Sequence, residues 1–192
     1  GTFNSPINIH MDLDDEHVDA CSQFVGRYIR GVKNVESPKW LKDRLLAVGL
    51  RPISALVDIT NLMTIEHCRP LHVFDADKLH GAVHVRMAKQ GEKIIGIDGR
   101  EYDLDPEITV IADEKFVGSI AGVMGCVISG CTKETVNVFL EAALFNPIRT
   151  STTGRKLNLH SDARFRFERG VDSQFLEPGM HIATGLILDI CG

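Results

Sequence analysis

Apolar positions along this chain follow a helical period in two regions and alternate in a third. After Ser37-Pro38, which supplies an N-cap and a first-turn proline, Leu41, Leu45 and Val48 recur on one face, and Gly49 stands where a C-terminal cap belongs. Ser54 opens a second helix carrying Leu56, Ile59, Leu62 and Met63. It is expected to end before Arg69-Pro70, because a residue ahead of proline avoids the helical region, and His72 then falls on a loop. The stretch from Cys21 to Val32, with Phe24, Tyr28 and Val32 around Gly26, fits a strand or a short helix, and strand is preferred. From Ala82 onward the pattern is that of strands: VHVRMA, then KIIGI and REYDL joined across Asp98-Gly99, then TVIAD and VNVFLEAALF. Phe175 to Cys191 returns to a helix through Phe175, Leu176, Ile182, Leu186, Leu188 and Ile190. Helices and strands are segregated, which predicts an α+β fold, with mixed or antiparallel sheets packed against several helices, over a doubly wound one.

Two polar blocks interrupt these patterns. VDITNLMTIEHCRPLHVFD, from Val57 to Asp75, sets Asp58, Thr60, Asn61 and His72 around an apolar segment, and LHSDARFRFERGVD follows from Leu159 to Asp172. Buried polar groups need partners, so the first block reads as a site and the two are expected to meet in space. Plainer readings stand beside this one. Asp58 and Thr60 suit helix hydrogen bonding, His72 could tie down the turn after Pro70, and Asp75 suits a helix cap. Glu141 lies inside the apolar run VFLEAALF; it suits the floor of a polar pocket, but spacing alone favours a strand-end carboxylate facing water or holding an arginine. Gly118 to Gly125 (GSIAGVMG) places glycines where backbone approaches something closely or takes positive φ. Arg164, Arg166 and Arg169 alternate with Asp162, Glu168 and Asp172, which favours internal ion pairing over phosphate contacts.

Composition narrows the classes. With 192 residues at 44% hydrophobic content the chain can bury a core as one domain or two small ones, and a net charge of −5 opposes free-standing nucleic-acid binding. No apolar run approaches a membrane span and GTFNSPINIH lacks a signal-peptide layout, so a cytoplasmic chain with no membrane partner is expected. Five cysteines without a CxxC argue against a disulfide frame, and the Cys126/Cys131 pair lacks a second pair to complete a zinc site, so buried core thiols are expected. GSIAGVMG lacks the spacing and the Lys-Ser/Thr ending of a phosphate loop, and no G-x-S-x-G elbow is present. The opening Gly1-Thr2 is compatible with a cloning scar and the last helix stops abruptly, which suggests a fragment of something larger.

VDITN, PLHVFDADKL, IAGVMG, VFLEAALF and SDARFRFERGVD, in this order from Arg51 to Asp172, resemble the editing domain of the bacterial phenylalanyl-tRNA synthetase beta subunit. The resemblance implies an editing-domain fragment over residues 1–192, with a core of about 37–172 and flanking segments at both ends. It also implies hydrolysis of tyrosine wrongly esterified to phenylalanine tRNA, the synthetic site lying on the alpha subunit. Thr60, Asn61 and His72 match the ester end of the family's pocket, and Gly122 and Gly125 its glycine wall. Glu141 matches the residue that reads the tyrosine hydroxyl, and Ser161 and Ala163 match further pocket positions. The implied partners are the tRNA's mischarged acceptor end, the alpha subunit and the rest of the beta subunit, in a parent of two alpha and two beta chains. The fragment alone is expected to be a monomer with no cofactor or metal, while the parent uses ATP and Mg²⁺. The sequence departs from the family at His67-Cys68-Arg69, where a Leu-Gly-Gln-like segment is usual, and at Cys126, where a second glycine often follows.

Such a set has a physical rationale. A phenol differs from a phenyl ring by one hydroxyl, which an apolar pocket discriminates poorly, whereas a carboxylate accepting that hydrogen leaves phenylalanine opposite an unsatisfied group, a cost of roughly 1–3 kcal/mol. An aminoacyl ester is already activated, so its cleavage asks mainly for a placed water and donors near the developing charge: His72 for water or ribose, Thr60 and Asn61 for the ester, amides near Gly122 for the oxyanion. A free-standing deacylase acting in trans and an inactive binding module of the same fold are the alternatives left open.

Overall fold

The computed structural model describes residues 3–192, and Gly1-Thr2 lie outside them. Three antiparallel strands form the sheet that organises the molecule: β2 (Cys21–Arg30), β10 (Asn137–Phe145) and β3 (His72–Asp75), in the order β2-β10-β3. Side chains alternate across a strand, so β10 feeds two cores at once. Val138, Leu140 and Ala142 face the helices α1 (Lys39–Ala47), α2 (Ala55–Glu66) and α5 (Leu176–Cys191), meeting Leu41, Leu45, Leu56, Ile59, Met63, Met180, Ala183 and Ile187. Phe139, Ala143 and Phe145 face the other way, toward Phe74, Val83, Val85, Ile111 and Phe167.

That second core is closed by a five-stranded sheet in the order β1-β4-β7-β8-β9, with β1 (Ile9–Asp12) parallel to β4 (Val83–Met87) and the rest antiparallel. β7 (Thr109–Ala112), β8 (Val117–Ile120) and β9 (Met124–Gly125) complete it. A hairpin of β5 (Lys93–Ile95) and β6 (Glu101–Asp103) turns at Asp98-Gly99, as the sequence predicted, and covers the outer face through Ile94 and Tyr102. Helices α3 (Pro147–Lys156) and α4 (Asp162–Phe167) follow β10 and pack on each other, Gly154 leaving the space that the Arg164 side chain fills. The α+β expectation holds. β2 and α5 fall outside residues 37–172, yet β2 pairs along β10 and α5 packs into the helical core.

Several local expectations are corrected. Val48 is exposed, because the first helix ends at Ala47 and Gly49 (φ +81°) turns the chain away. Ser37 does not cap that helix; its hydroxyl donates to Asp58 Oδ2 at 2.5 Å. In α5 the buried stripe is Leu176, Met180, Ala183 and Ile187, leaving Ile182 and Leu188 exposed. The expectation for Gly118 to Gly125 holds: the stretch forms a tight β8–β9 hairpin whose turn passes through Gly122 at φ +69°.

Candidate functional site

His72 does not sit on a loop. It opens β3 and lies directly opposite Glu141 of β10, so their side chains leave the same face of the sheet, into the layer between the two sheets. The four-residue strand exists because β10 offers it a hydrogen-bonding edge; nothing in its own length would have held it extended. Glu141 is five residues into β10, only 5% exposed, and held by no arginine, which overturns the strand-end reading. Its Oε2 and the Nε2 of His72 are both sealed from solvent without a hydrogen-bond partner among the described residues.

Burial alone sets the electrostatics here. It pushes the Glu141 carboxyl up to about 8 and the His72 imidazole down to about 4, so both groups are predominantly neutral near pH 7. The carboxylate expected from the sequence is thus a predominantly neutral carboxyl. Phe74 meets the imidazole edge-on, with centroids 4.4 Å apart. On the other side stands Gly125, where a Cβ would overlap His72 Cε1 and lie 3.0 Å from Nε2. Glycine at 125 is therefore what lets the imidazole lie against β9.

The other matched positions gather nearby in part. Ser161 caps α4, accepting from the Arg164 amide at 3.0 Å, and donates to the Val123 carbonyl at 2.6 Å, which fastens the last block to the Gly122 turn. Ala163 packs against the layer between the sheets. Gly122 backs onto Phe145 and Phe167, where a Cβ would come within 3.1–3.2 Å of ring carbons. The amides on either side are committed, Ala121 to Thr109 O and Val123 to Ile120 O, whereas the Gly122 amide has no protein acceptor among the described residues.

Thr60 and Asn61 stand apart from this group. Their helix lays its apolar stripe on the Leu140 face of the sheet, opposite the Glu141 face, and no hydrogen bond joins either residue to His72 or Glu141. The Thr60 hydroxyl donates to Val57 O at 2.7 Å within the helix, and Asn61 is half-buried. Asp58 is a structural acceptor, taking the Ile53 amide at 2.8 Å besides Ser37. Asp75 caps the short turn Ala76–Lys78, accepting from the Asp77 amide, and also accepts from the Thr135 hydroxyl at 2.7 Å.

The sequence reading missed Arg69. It is 1% exposed, donating through one nitrogen to Ala143 O at 3.1 Å and through another to Asp172 O, with Gly179 giving room for its stem. It joins the two polar blocks to each other and to β10, three residues before His72. No periodicity could have found it, since an arginine before a proline reads as surface. Cys68 beside it takes φ +50°, in the left-handed region, at the position where the resemblance places glycine. The three arginines of the last block pair internally, as expected: Arg164 with Glu168 at 3.1 Å, Arg166 with Asp162 at 3.2 Å and Arg169 with Glu168 at 2.8 Å. Burial pushes the Cys126 and Cys131 thiols up to about 12; Cys126 is a core group as expected, whereas Cys131 is only partly buried.

Comparison with known proteins places this arrangement. The chain is 57% identical over 192 residues to the phenylalanine–tRNA ligase beta subunit of Paramagnetospirillum magneticum, covering all of this chain and 24% of that protein. It is 56% identical to the same subunit of Mesorhizobium japonicum, covering 23% of it. The chain therefore spans about a quarter of the length of the curated relatives it matches. An N-terminal fragment of the phenylalanyl-tRNA synthetase beta subunit from Pyrococcus horikoshii shares the fold, with a TM-score of 0.51 at 14% identity, over 78% of this chain and 49% of that one. The family model described as the B3/4 domain matches residues 20–192, and the chain belongs to that family.

Proposed function

We infer that this chain is the editing segment of a phenylalanine–tRNA ligase beta subunit, hydrolysing the ester that joins tyrosine to phenylalanine tRNA. The observation that carries the reading is the pairing of Glu141 with His72 across β3 and β10: two unpartnered polar groups in one apolar layer, closed by Gly125. A group left unsatisfied in a folded protein costs stability, and reading a ring hydroxyl accounts for retaining one. Its support is the near-60% identity with beta subunits, together with the five blocks of the resemblance.

On this reading the ring enters between the two sheets and displaces the imidazole from Gly125, against which it lies, to reach the buried Oε2. Glu141 reads the para hydroxyl, Gly122, Gly125 and Ala163 leave room for the ring, and Ser161 holds the Gly122 turn in place. His72, once displaced, orients water or the terminal ribose and the Gly122 amide faces the developing oxyanion, whereas Thr60 and Asn61, on the helical side of the sheet, are not placed at the ester. The parent enzyme, built with an alpha subunit as two alpha and two beta chains in the cytoplasm and using ATP and Mg²⁺, attaches phenylalanine at a separate site.

The test is deacylation of tyrosyl- and phenylalanyl-tRNA by the whole enzyme carrying Glu141→Ala or His72→Ala. Glu141→Ala is expected to lower the preference for tyrosine by about tenfold, corresponding to about 1.4 kcal/mol, and His72→Ala to slow clearance of both. Unaltered selectivity in Glu141→Ala removes the carboxyl from recognition.

A further inference from the structure

Glu141 is a buried titratable group in the layer between the two sheets. It leaves β10 on the face that carries Phe139 and Ala143, opposite His72 of β3, with Oε2 sealed and unpartnered. The titratable and charged groups on the surrounding elements do not compensate an ion. From β3, His72 faces it with no hydrogen bond between them. At the head of β2, Cys21 is a neutral thiol, pushed up to about 12 by burial and by Glu141 itself. The Arg69 guanidinium is spent on the carbonyls of Ala143 and Asp172, and Arg164 and Arg166 of α4 on Glu168 and Asp162. A carboxylate with one oxygen sealed and no counter-charge costs more than a proton taken up near pH 7. Burial accordingly raises the carboxyl to about 8.

We propose that Glu141 works as a neutral carboxylic acid donating a hydrogen bond, and that the site takes aromatic side chains whose para group only accepts hydrogen bonds, such as nitriles, as well as phenols. The proposal rests on the deacylase reading and deepens it. A carboxylate offers only lone pairs and repels a nitrile nitrogen; a carboxylic acid offers its O–H. A phenol accepts and donates, so it suits either form. The proton stays on Glu141 throughout, and no bond is made or broken there.

The whole enzyme, presented with tRNA charged with 4-cyanophenylalanine or 4-ethynylphenylalanine, separates the two states, because these rods have the same length and differ in a terminal nitrogen against a C–H. Near pH 7 the cyano ester is expected to be cleared about fivefold faster, the worth of one neutral hydrogen bond. That advantage is expected to fade above about pH 8, where Glu141 ionises, while tyrosine is still cleared. Glu141→Gln, which carries an untitratable N–H donor, is expected to keep the cyano advantage at alkaline pH. An ethynyl ester cleared as fast as the cyano ester near pH 7 overturns the proposal. An infrared difference spectrum between wild type and Glu141→Gln reads the carboxyl without any turnover: a protonated-carboxyl band near pH 7 supports the proposal and its absence overturns it. Failure to clear tyrosyl-tRNA overturns the hydrolase reading instead, and the infrared band still decides the state of the carboxyl.

Discussion

At the residue scale, His72 and Glu141 store opposite responses to pH. Glu141 binds its proton more tightly in the fold than in the unfolded chain, so its stabilisation is full at acid pH and is lost as pH rises from about 4.5 to about 8. His72 is held down to about 4 from 6.5, so its contribution is present above about 6.5 and lost as pH falls toward 4. Between about 4.5 and 6.5 the fold keeps one proton on the carboxyl and the unfolded chain keeps one on the imidazole. The counts match and the two slopes cancel. Above about 6.5 only the Glu141 slope remains, so urea midpoints are expected to decline toward pH 8; Glu141→Gln should abolish that decline and uncover an acid one. An unchanged alkaline decline in the variant would assign it to another group. Gly125→Ala is expected to push the His72 ring out of its seat, costing about 1–3 kcal/mol in thermal or urea unfolding, since the nearest atoms belong to a packed imidazole. Cys68→Gly should act in the other direction. Releasing a side chain from φ +50° is expected to stabilise by about 1 kcal/mol, read from the same unfolding curves.

Among the elements, those with strong local signals were legible. α1, α2, α5, β10 and the Asp98-Gly99 hairpin follow from apolar period, proline and glycine placement. The rest are products of pairing. β3 is four residues long and extended because β10 lies beside it, so the helix-then-loop reading put His72 in the wrong setting. β8 and β9 hide in a glycine-rich run whose strand character comes from neighbours in the five-stranded sheet. Glu141 could be seen as a carboxyl in an apolar run, but which face it used, and that nothing there neutralised it, depended on the partners of β10. Arg69 is the strut between these elements. Arg69→Ala should remove both of its carbonyl bonds and leave a hole beside Gly179, costing about 2–4 kcal/mol. Denaturant unfolding measures this, and a change under about 0.5 kcal/mol would mean that the strut carries no load.

For the whole molecule, charge distribution bears on what the chain does by itself. Its net charge is −5, and the arginines of the last block are engaged with neighbouring carboxylates. A polyanion as large as tRNA therefore finds little here to hold it. The isolated chain is expected to hydrolyse mischarged tRNA far more slowly than the whole enzyme, and comparable turnover would place the tRNA-holding surface on this segment. β10 also has a consequence for how such a chain can vary in length. Its odd-numbered residues from Phe139 to Phe145 point toward one sheet and its even-numbered ones toward the helices, and the one shift in its pairing with β2, at Leu144/Phe145, comes after Glu141 and is taken up by an extra residue of β2, Ser22. Adding or losing a single residue between Asn137 and Glu141 would swing the acid into the greasy helical side and bring a leucine or alanine opposite His72. At the far end of β10 the partner strand already carries the extra residue, so length can drift in β2 there while β10 keeps Glu141 turned to the same side.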